Sequence, residues 1–218
     1  MDAKRGSVAE IDKIVRAMAT VAVENEKYFG DLDAVVGDGD FGYSLARGFE
    51  VVLKDLDSYD ASTPAAHLKK IASTVISKVG GTSGPLWGTA FLRAAGVAGD
   101  KTELTAHDAV AMLRAGAVGI GERGKSGVGD KTLLDALLPA TDALGAALDA
   151  GEAAPQALAR AADVAESSAE QTKTMLAKRG RASYSGERSI GSVDAGAVAV
   201  GHMFRAVSDA YAREGNRS

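Results

Sequence analysis

The chain contains no cysteine. That excludes disulfide bridges, thiolate metal sites and thiol nucleophiles. Aromatic residues make up only 5%, and prolines, which break helices from within, number 4. No apolar run approaches the roughly 20 residues needed to cross a bilayer. The opening stretch MDAKRGSVAEIDK is interrupted by charges and lacks the apolar segment of a secretion signal. A cytoplasmic location is therefore expected. Neither sign of charge dominates: 25 basic residues face 29 acidic ones, for a net charge of -4. Such a balance gives no general attraction to nucleic acid or to an anionic membrane. No internal period of 20–50 residues argues for a solenoid.

Hydrophobic residues account for 46% of 218, enough for a core, and one domain covering residues 1–218 suffices. Their spacing is helical almost throughout. Eight segments carry it: residues 7–29, 42–56, 63–79, 85–96, 105–122, 131–150, 154–178 and 196–213. In the first, Val8, Ile11, Val15, Met18 and Ala22 form one apolar stripe, Ser7 and Glu10 have capping-box spacing, and Gly30 should end the helix. Thr63 before Pro64, and Thr105 with Asp108, mark two further helix starts. Recurrent Ala and Gly (RAGAVG, GAVAVG) suit close helix packing. The expected fold is an all-α bundle with short connections. One connection is an exception: residues 179–194, RGRASYSGERSIGSVD, form a long polar stretch rich in glycine, typical of a lid or binding loop.

Three glycine-bearing loops each precede a helix: LDAVVGDGDFG, VGGTSGP and GVGDKT. Such a loop presents free backbone N–H groups that can cradle phosphate oxygens. Of the three loops, Gly80, Gly81, Thr82 and Ser83 suit that role best, although a helix cap followed by a turn is the commoner meaning of such a stretch taken alone. None of the loops is a P-loop, and no GxGxxG opens a βαβ unit. In the first loop Asp33, Asp38 and Asp40 cannot share one helix face, but a turn can converge them. Oxygen-only ligands suit a hard cation such as Mg²⁺, whereas a solvated acidic turn would need none. The spacing is not that of an EF-hand. His67, His107 and His202 lie on separate helical segments, with surface or capping roles expected and no chemistry.

GDGDFG, GGTSGPLWGT, GDKTLLDAL and above all KRGRASYSGERSIGSVDAGA resemble the nucleotide-binding L subunit of dihydroxyacetone kinase, a module that also forms the C-terminal domain of single-chain kinases. The resemblance runs from the first helix to the last. It implies an antiparallel barrel of eight helices with ADP or ATP at one end. It implies that Asp33, Asp38 and Asp40 hold two Mg²⁺ ions against the phosphates and carry the catalysis. It places nucleotide contacts at Phe41, Gly42 and Ser44, at Gly80, Gly81, Thr82, Ser83 and Gly84, at Gly129 and Thr132, and at Arg181, Asp194 and Gly196, with residues 179–194 as a capping loop. Lys178, Arg179, Arg181 and Arg188 would then meet phosphate or a partner, and Trp87 would pack on the core near the nucleotide. Many such subunits have histidine where this chain has Phe41, which puts an apolar wall in place of a polar contact.

The implied activity is phosphoryl transfer to a small keto-sugar held covalently on a partner K subunit, since the chain shows no sugar site of its own. The donor would be a phosphotransferase-system protein, the M subunit, recharging bound ADP. The alternatives are an ATP-dependent kinase subunit for another ketose such as erythrulose, or a nucleotide-dependent regulatory module without catalysis. A homodimer is compatible with each.

Overall fold

A computed structural model describes residues 6–215, and the helical periodicity becomes nine α-helices there. They are α1 (Ser7–Glu24), α2 (Glu26–Asp33), α3 (Phe41–Asp55), α4 (Pro64–Lys78), α5 (Ser83–Ala98), α6 (Ala106–Gly124), α7 (Leu134–Asp149), α8 (Ala154–Gln171) and α9 (Ala195–Gly215). Short 3-10 segments lie at Leu56–Ser58, Thr172–Thr174 and Arg181–Ser189. Among the described residues there is no strand, and no helix is long and apolar enough to cross a membrane. The all-α expectation is met.

Two of the expected helix starts form as read. The Thr63 hydroxyl accepts from the Ala66 N–H at 3.1 Å with Pro64 in the first turn. Thr105 and Asp108 form a reciprocal capping box: the Asp108 N–H donates to Thr105 Oγ1 and the Thr105 N–H to Asp108 Oδ2. A Lys101 ammonium on the same carboxylate, together with the Thr105 donors, holds Asp108 down at about 2.

The first expected helix differs. Ser7 does not cap it. Its hydroxyl accepts from the Leu104 N–H and donates to Glu103, while Glu10 takes the Tyr211 hydroxyl. The helix also breaks at Asn25, whose side-chain amide bonds the Val21 carbonyl one turn back and so competes with the backbone ladder. A second helix then runs on through Gly30 to Asp33 instead of stopping at Gly30. Its close crossing with α3 requires glycine at position 42, because a Cβ there would lie 1.9 Å from the Glu26 carbonyl oxygen.

Eight of the helices close a ring. α1 packs on α3, α3 on α4, each of α4 to α8 on its successor, and α9 returns to α1, with the short α2 wedged against α3 and α9. The shared core includes Phe29, Leu45, Phe49, Leu56 and Ile71, all fully buried. Each such side chain contributes about 1.5–3 kcal/mol. The apolar side chains of α1 and α4–α9 also border an inner cavity of about 210 Å³, next to Met18, Phe91, Met112 and Phe204.

His67 corrects an expectation. It is fully buried, with Nε2 2.6 Å from Asp12 Oδ1 and Nδ1 3.0 Å from the Asp60 carbonyl, and it joins α4 to α1. His107 is exposed beside Asp149 as expected, and His202 is half-buried against Tyr28 and Phe29.

In an up-and-down ring, alternate connections fall at the same end. The connections α2–α3, α4–α5, α6–α7 and α8–α9 therefore share one end, and these are the segments that hold the glycine-bearing motifs.

Candidate functional site

At that end four helices, α3, α5, α7 and α9, begin. Each N-terminus is the positive end of a helix dipole, so together they favour anions. Asp33 closes α2, and Asp38 and Asp40 precede α3. One oxygen of each of the three carboxylates lies within 4.8 Å of the others. The intervening turn is folded around Asp33, whose Oδ2 accepts from the Gly39 N–H at 2.9 Å. This is the convergence that the helix-face argument required. Phe41, next in sequence, is half-buried with its ring 6.2 Å from that of Phe29, which makes it an apolar flank of the loop.

The turn before α5 comes close to the first turn of α3. A Cβ on Gly80 would lie 2.8 Å from Ser44 Oγ. Gly81 sits at φ +60°, and Gly81 and Thr82 are exposed. Ser83 and Gly84 open α5, and Trp87 one turn on is buried in a T-shaped contact with Phe49. Trp87 thus packs on the core as expected.

The turn before α7 is organised by Asp135, a residue that the sequence reading passed over. Its carboxylate accepts from the Gly129 N–H at 2.5 Å and the Thr132 N–H at 2.7 Å. Lys131 between them has φ +61° and is 2% exposed. Its ammonium donates to the carbonyls of Ser189, Met175 (3.3 Å) and Ser192 (2.7 Å). Burial pushes that ammonium below the ordinary lysine value. The local signal is a lone lysine in GDKT, between a glycine-bearing loop and an apolar helical run.

Asp194 caps α9, with Oδ1 accepting from the Ala197 N–H at 2.7 Å. Its backbone N–H reaches Thr172 Oγ1 at 2.8 Å. The residue keeps partial exposure, but its carboxyl lies deep among protein atoms. Burial, together with the neighbouring charges of Asp135 and Asp33, pushes it up to about 7, against the pull of Lys131 and the Ala197 N–H. That electrostatic coupling places the acidic loop, the α7 turn and the start of α9 in one neighbourhood. Gly196 follows within it, with the Leu133 side chain 3.3 Å from where its Cβ would be.

The segment expected as a loop over 179–194 is more ordered than expected. It forms 3-10 turns over Arg181–Ser189, broken by Gly186 at φ 55°. The preceding helix also ends at Gln171 rather than Lys178, because Thr172 bonds the Ala169 carbonyl and receives Asp194, turning the chain away. One root of the segment is fixed by the Lys178 N–H on the Asp130 carbonyl (3.1 Å) and Lys178 Nζ on the Gly129 carbonyl (2.9 Å). Its front reaches the acidic loop. Arg181 pairs with Asp38 and, at 3.2 Å, with Asp40, and the Ser185 hydroxyl donates to the Val36 carbonyl at 3.2 Å. Of the basic cluster, Lys178 and Arg179 flank Asp130, and Arg188 is exposed.

The residues fit a hard divalent cation. The donors are all carboxylate oxygens, and the position already accepts the positive charge of Arg181. Residues 80–84, Gly129, Thr132 and Gly196 lie on the same end of the ring as those carboxylates.

Residues 35–209 match the family model described as the DAK2 domain. The chain is 40% identical over 195 residues to the PEP-dependent dihydroxyacetone kinase ADP-binding subunit DhaL of Escherichia coli K12, covering 89% of this chain and 92% of that one. It is 39% identical over 184 residues to the PEP-dependent dihydroxyacetone kinase 1 ADP-binding subunit DhaL of Listeria innocua, covering 84% and 87%. The dihydroxyacetone kinase of C. freundii, solved in complex with AMP-PNP and Mg²⁺, superposes with a TM-score of 0.74 at 26% identity, covering 92% of this chain and 34% of that longer one. With the fold, the acidic cluster and the long sequence match in agreement, the chain belongs to the DAK2 domain family, in its dihydroxyacetone kinase L-subunit branch.

Proposed function

We propose that this chain is the ADP-binding subunit of a phosphotransferase-system-dependent dihydroxyacetone kinase, a phosphoryl carrier between a donor protein (the M subunit) and a keto-sugar held on a K-type partner. The observation that carries this reading is the placement of Asp33, Asp38 and Asp40 where four helix N-termini meet. The carboxylates call for cations and the helix ends call for anions, and a metal-bound nucleoside diphosphate supplies both. The relatives that match over most of their length are ADP-binding subunits, which supports the phosphorelay donor over free ATP.

In this reading Asp33, Asp38 and Asp40 would hold two Mg²⁺ ions, which would supply neutralisation of the phosphate charge. Residues 80–84 hold phosphate oxygens through backbone N–H groups and the Thr82 and Ser83 hydroxyls. Gly42 and Ser44 flank the same pocket from α3, and Phe41 keeps water from one side of it. Gly129, Thr132, Asp194 and Gly196 border the nucleotide from the α7 and α9 sides. Arg181, which pairs with Asp38 and Asp40, would be shared between the carboxylates and the phosphates, and residues 179–194 cap the site. The whole chain, residues 1–218, acts as one such domain in the cytoplasm.

The same end exposes Val35, Tyr43, Val128, Tyr184 and Ile190. Tyr184 is 90% exposed, a poor position for an aromatic ring that stays in water. Apolar side chains ringed around a polar centre are what a partner surface uses. This supports docking of the K-type subunit onto the site end. The test is reconstitution. The purified chain, a K-type subunit and dihydroxyacetone are supplied either with ATP or with phosphoenolpyruvate and the phosphorelay proteins. Dihydroxyacetone phosphate should form with the relay and only when the K subunit is present. Turnover by this chain alone, or turnover with ATP and none with the relay, would overturn the assignment.

A further inference from the structure

Lys131 is the only buried lysine or arginine among the described residues. An ammonium out of water must be well bonded to persist. Here its acceptors are three backbone carbonyls, of Met175, Ser189 and Ser192, rather than a carboxylate at bonding distance. A lysine used for packing or for an ion pair would not need that arrangement. Three carbonyls from the two strands of chain that flank one segment make it a clasp on the backbone. Ser189 ends the 3-10 turns of the capping segment, Ser192 follows, and Met175 lies before the segment begins.

The residue is driven inward by its surroundings. Asp135 pins the N–H groups of Gly129 and Thr132 on either side of it, and Lys131 takes a left-handed backbone conformation that non-glycine residues adopt at a cost. The other root of the segment ends on the same turn, through Lys178 on the carbonyls of Gly129 and Asp130. Both roots are thus tied to residues 129–131. The front of the segment carries Arg181 and Ser185 to the acidic loop.

We infer that Lys131 is a positioning residue: by clasping these carbonyls it sets where the capping segment lies over the carboxylates, and so sets nucleotide affinity without touching the nucleotide. The part about affinity rests on the ADP-binding reading above. The part about the segment does not.

The test uses the full chain with Lys131→Met, which keeps the apolar stem and removes the charge and donors. Hydrogen exchange without any ligand should speed up about tenfold or more across residues 181–192 while the helices of the ring keep their protection. The Kd for ADP with Mg²⁺, read by calorimetry, should rise about tenfold. That factor corresponds to about 1.4 kcal/mol, the scale of one charge-assisted hydrogen bond. Lys131→Arg, which keeps charge and donors on a wider head, should recover part of both effects. Unchanged exchange in the segment, or a Kd within twofold of wild type, would overturn the inference. So would exchange that rises equally in all helices, because the lysine would then be a general core element. Failure of the wild-type chain to bind ADP would refute the functional reading and the affinity claim with it, and the exchange arm would still decide whether Lys131 holds the segment.

Discussion

Replacing Asp38 with asparagine separates the metal role of the acidic loop from its structural one. Without metal, two effects oppose each other. The variant loses repulsion from Asp33 and Asp40. At 4.8 Å, each of these two pairs of unit charges repels by about 0.9 kcal/mol in water, and by about half of that in physiological salt. The variant also loses its ion pair with Arg181, in which the two side chains are 45% and 54% exposed. A pair that exposed is worth about 0–1 kcal/mol. Repulsion alone would make Asp38→Asn the more stable protein, but the contact with Arg181 offsets it. The melting temperature without metal should therefore stay within about 3 °C of wild type, since 1 kcal/mol moves a chain of this size by about 2–4 °C. With Mg²⁺ present the same change removes a ligand and misplaces the phosphates. A displacement of about 1 Å costs roughly a hundredfold in rate. Phosphoryl transfer in the reconstituted kinase should fall by at least that factor, and the Mg²⁺-dependent part of ADP binding should weaken with it. The assay pairs a metal-free melting curve with turnover at saturating relay proteins. Near-wild-type turnover would refute the carboxylate clamp. A metal-free melting temperature more than about 8 °C lower would show that Asp38 is structural instead.

Three further outcomes follow from the same geometry. Arg181→Met should raise Mg²⁺ affinity in the absence of nucleotide by a few-fold, the size of an exposed ion pair, and should weaken ADP binding, so opposite signs in two titrations are the mark of a residue shared between carboxylates and phosphates. Asp194, pushed up to about 7 by burial, binds its proton more tightly folded than unfolded. Metal-free stability should therefore fall as pH rises from about 4 towards 7 and level off above, and Asp194→Asn, which keeps a capping side chain, should flatten that slope in denaturant titrations at pH 5 and pH 8. His67→Phe leaves Asp12 and the Asp60 carbonyl without the ring they bond and should cost roughly 2–5 kcal/mol. ADP affinity should not change, because roughly 18 Å of helix separates His67 from the Gly80 turn; a loss of affinity would show coupling between the two ends of the ring.

The sequence by itself determined what depends on neighbours within a helical turn or a short loop. Apolar spacing, Thr63 before Pro64, and the Thr105–Asp108 box specify helices through contacts three or four residues apart, and those helices formed as read. The acidic loop was legible for the same reason: Asp33, Asp38 and Asp40 span only eight residues, and the glycines between them let a single turn gather the carboxylates. Closure of the ring decided the rest, because it supplied partners that no local pattern encodes. Ser7 has the spacing of a capping residue, yet it bonds Leu104, 97 positions away. His67 lies on an ordinary helical segment, and only the packing of α4 on α1 brings it to Asp12 and buries it. The helical pattern continues past Gln171, but Thr172 is captured by Asp194 and the chain turns to meet Lys131. Alternate connections of an up-and-down ring must share an end, so it is the tertiary structure that sets the acidic loop, the Gly80 turn, the Lys131 turn and the capping segment side by side.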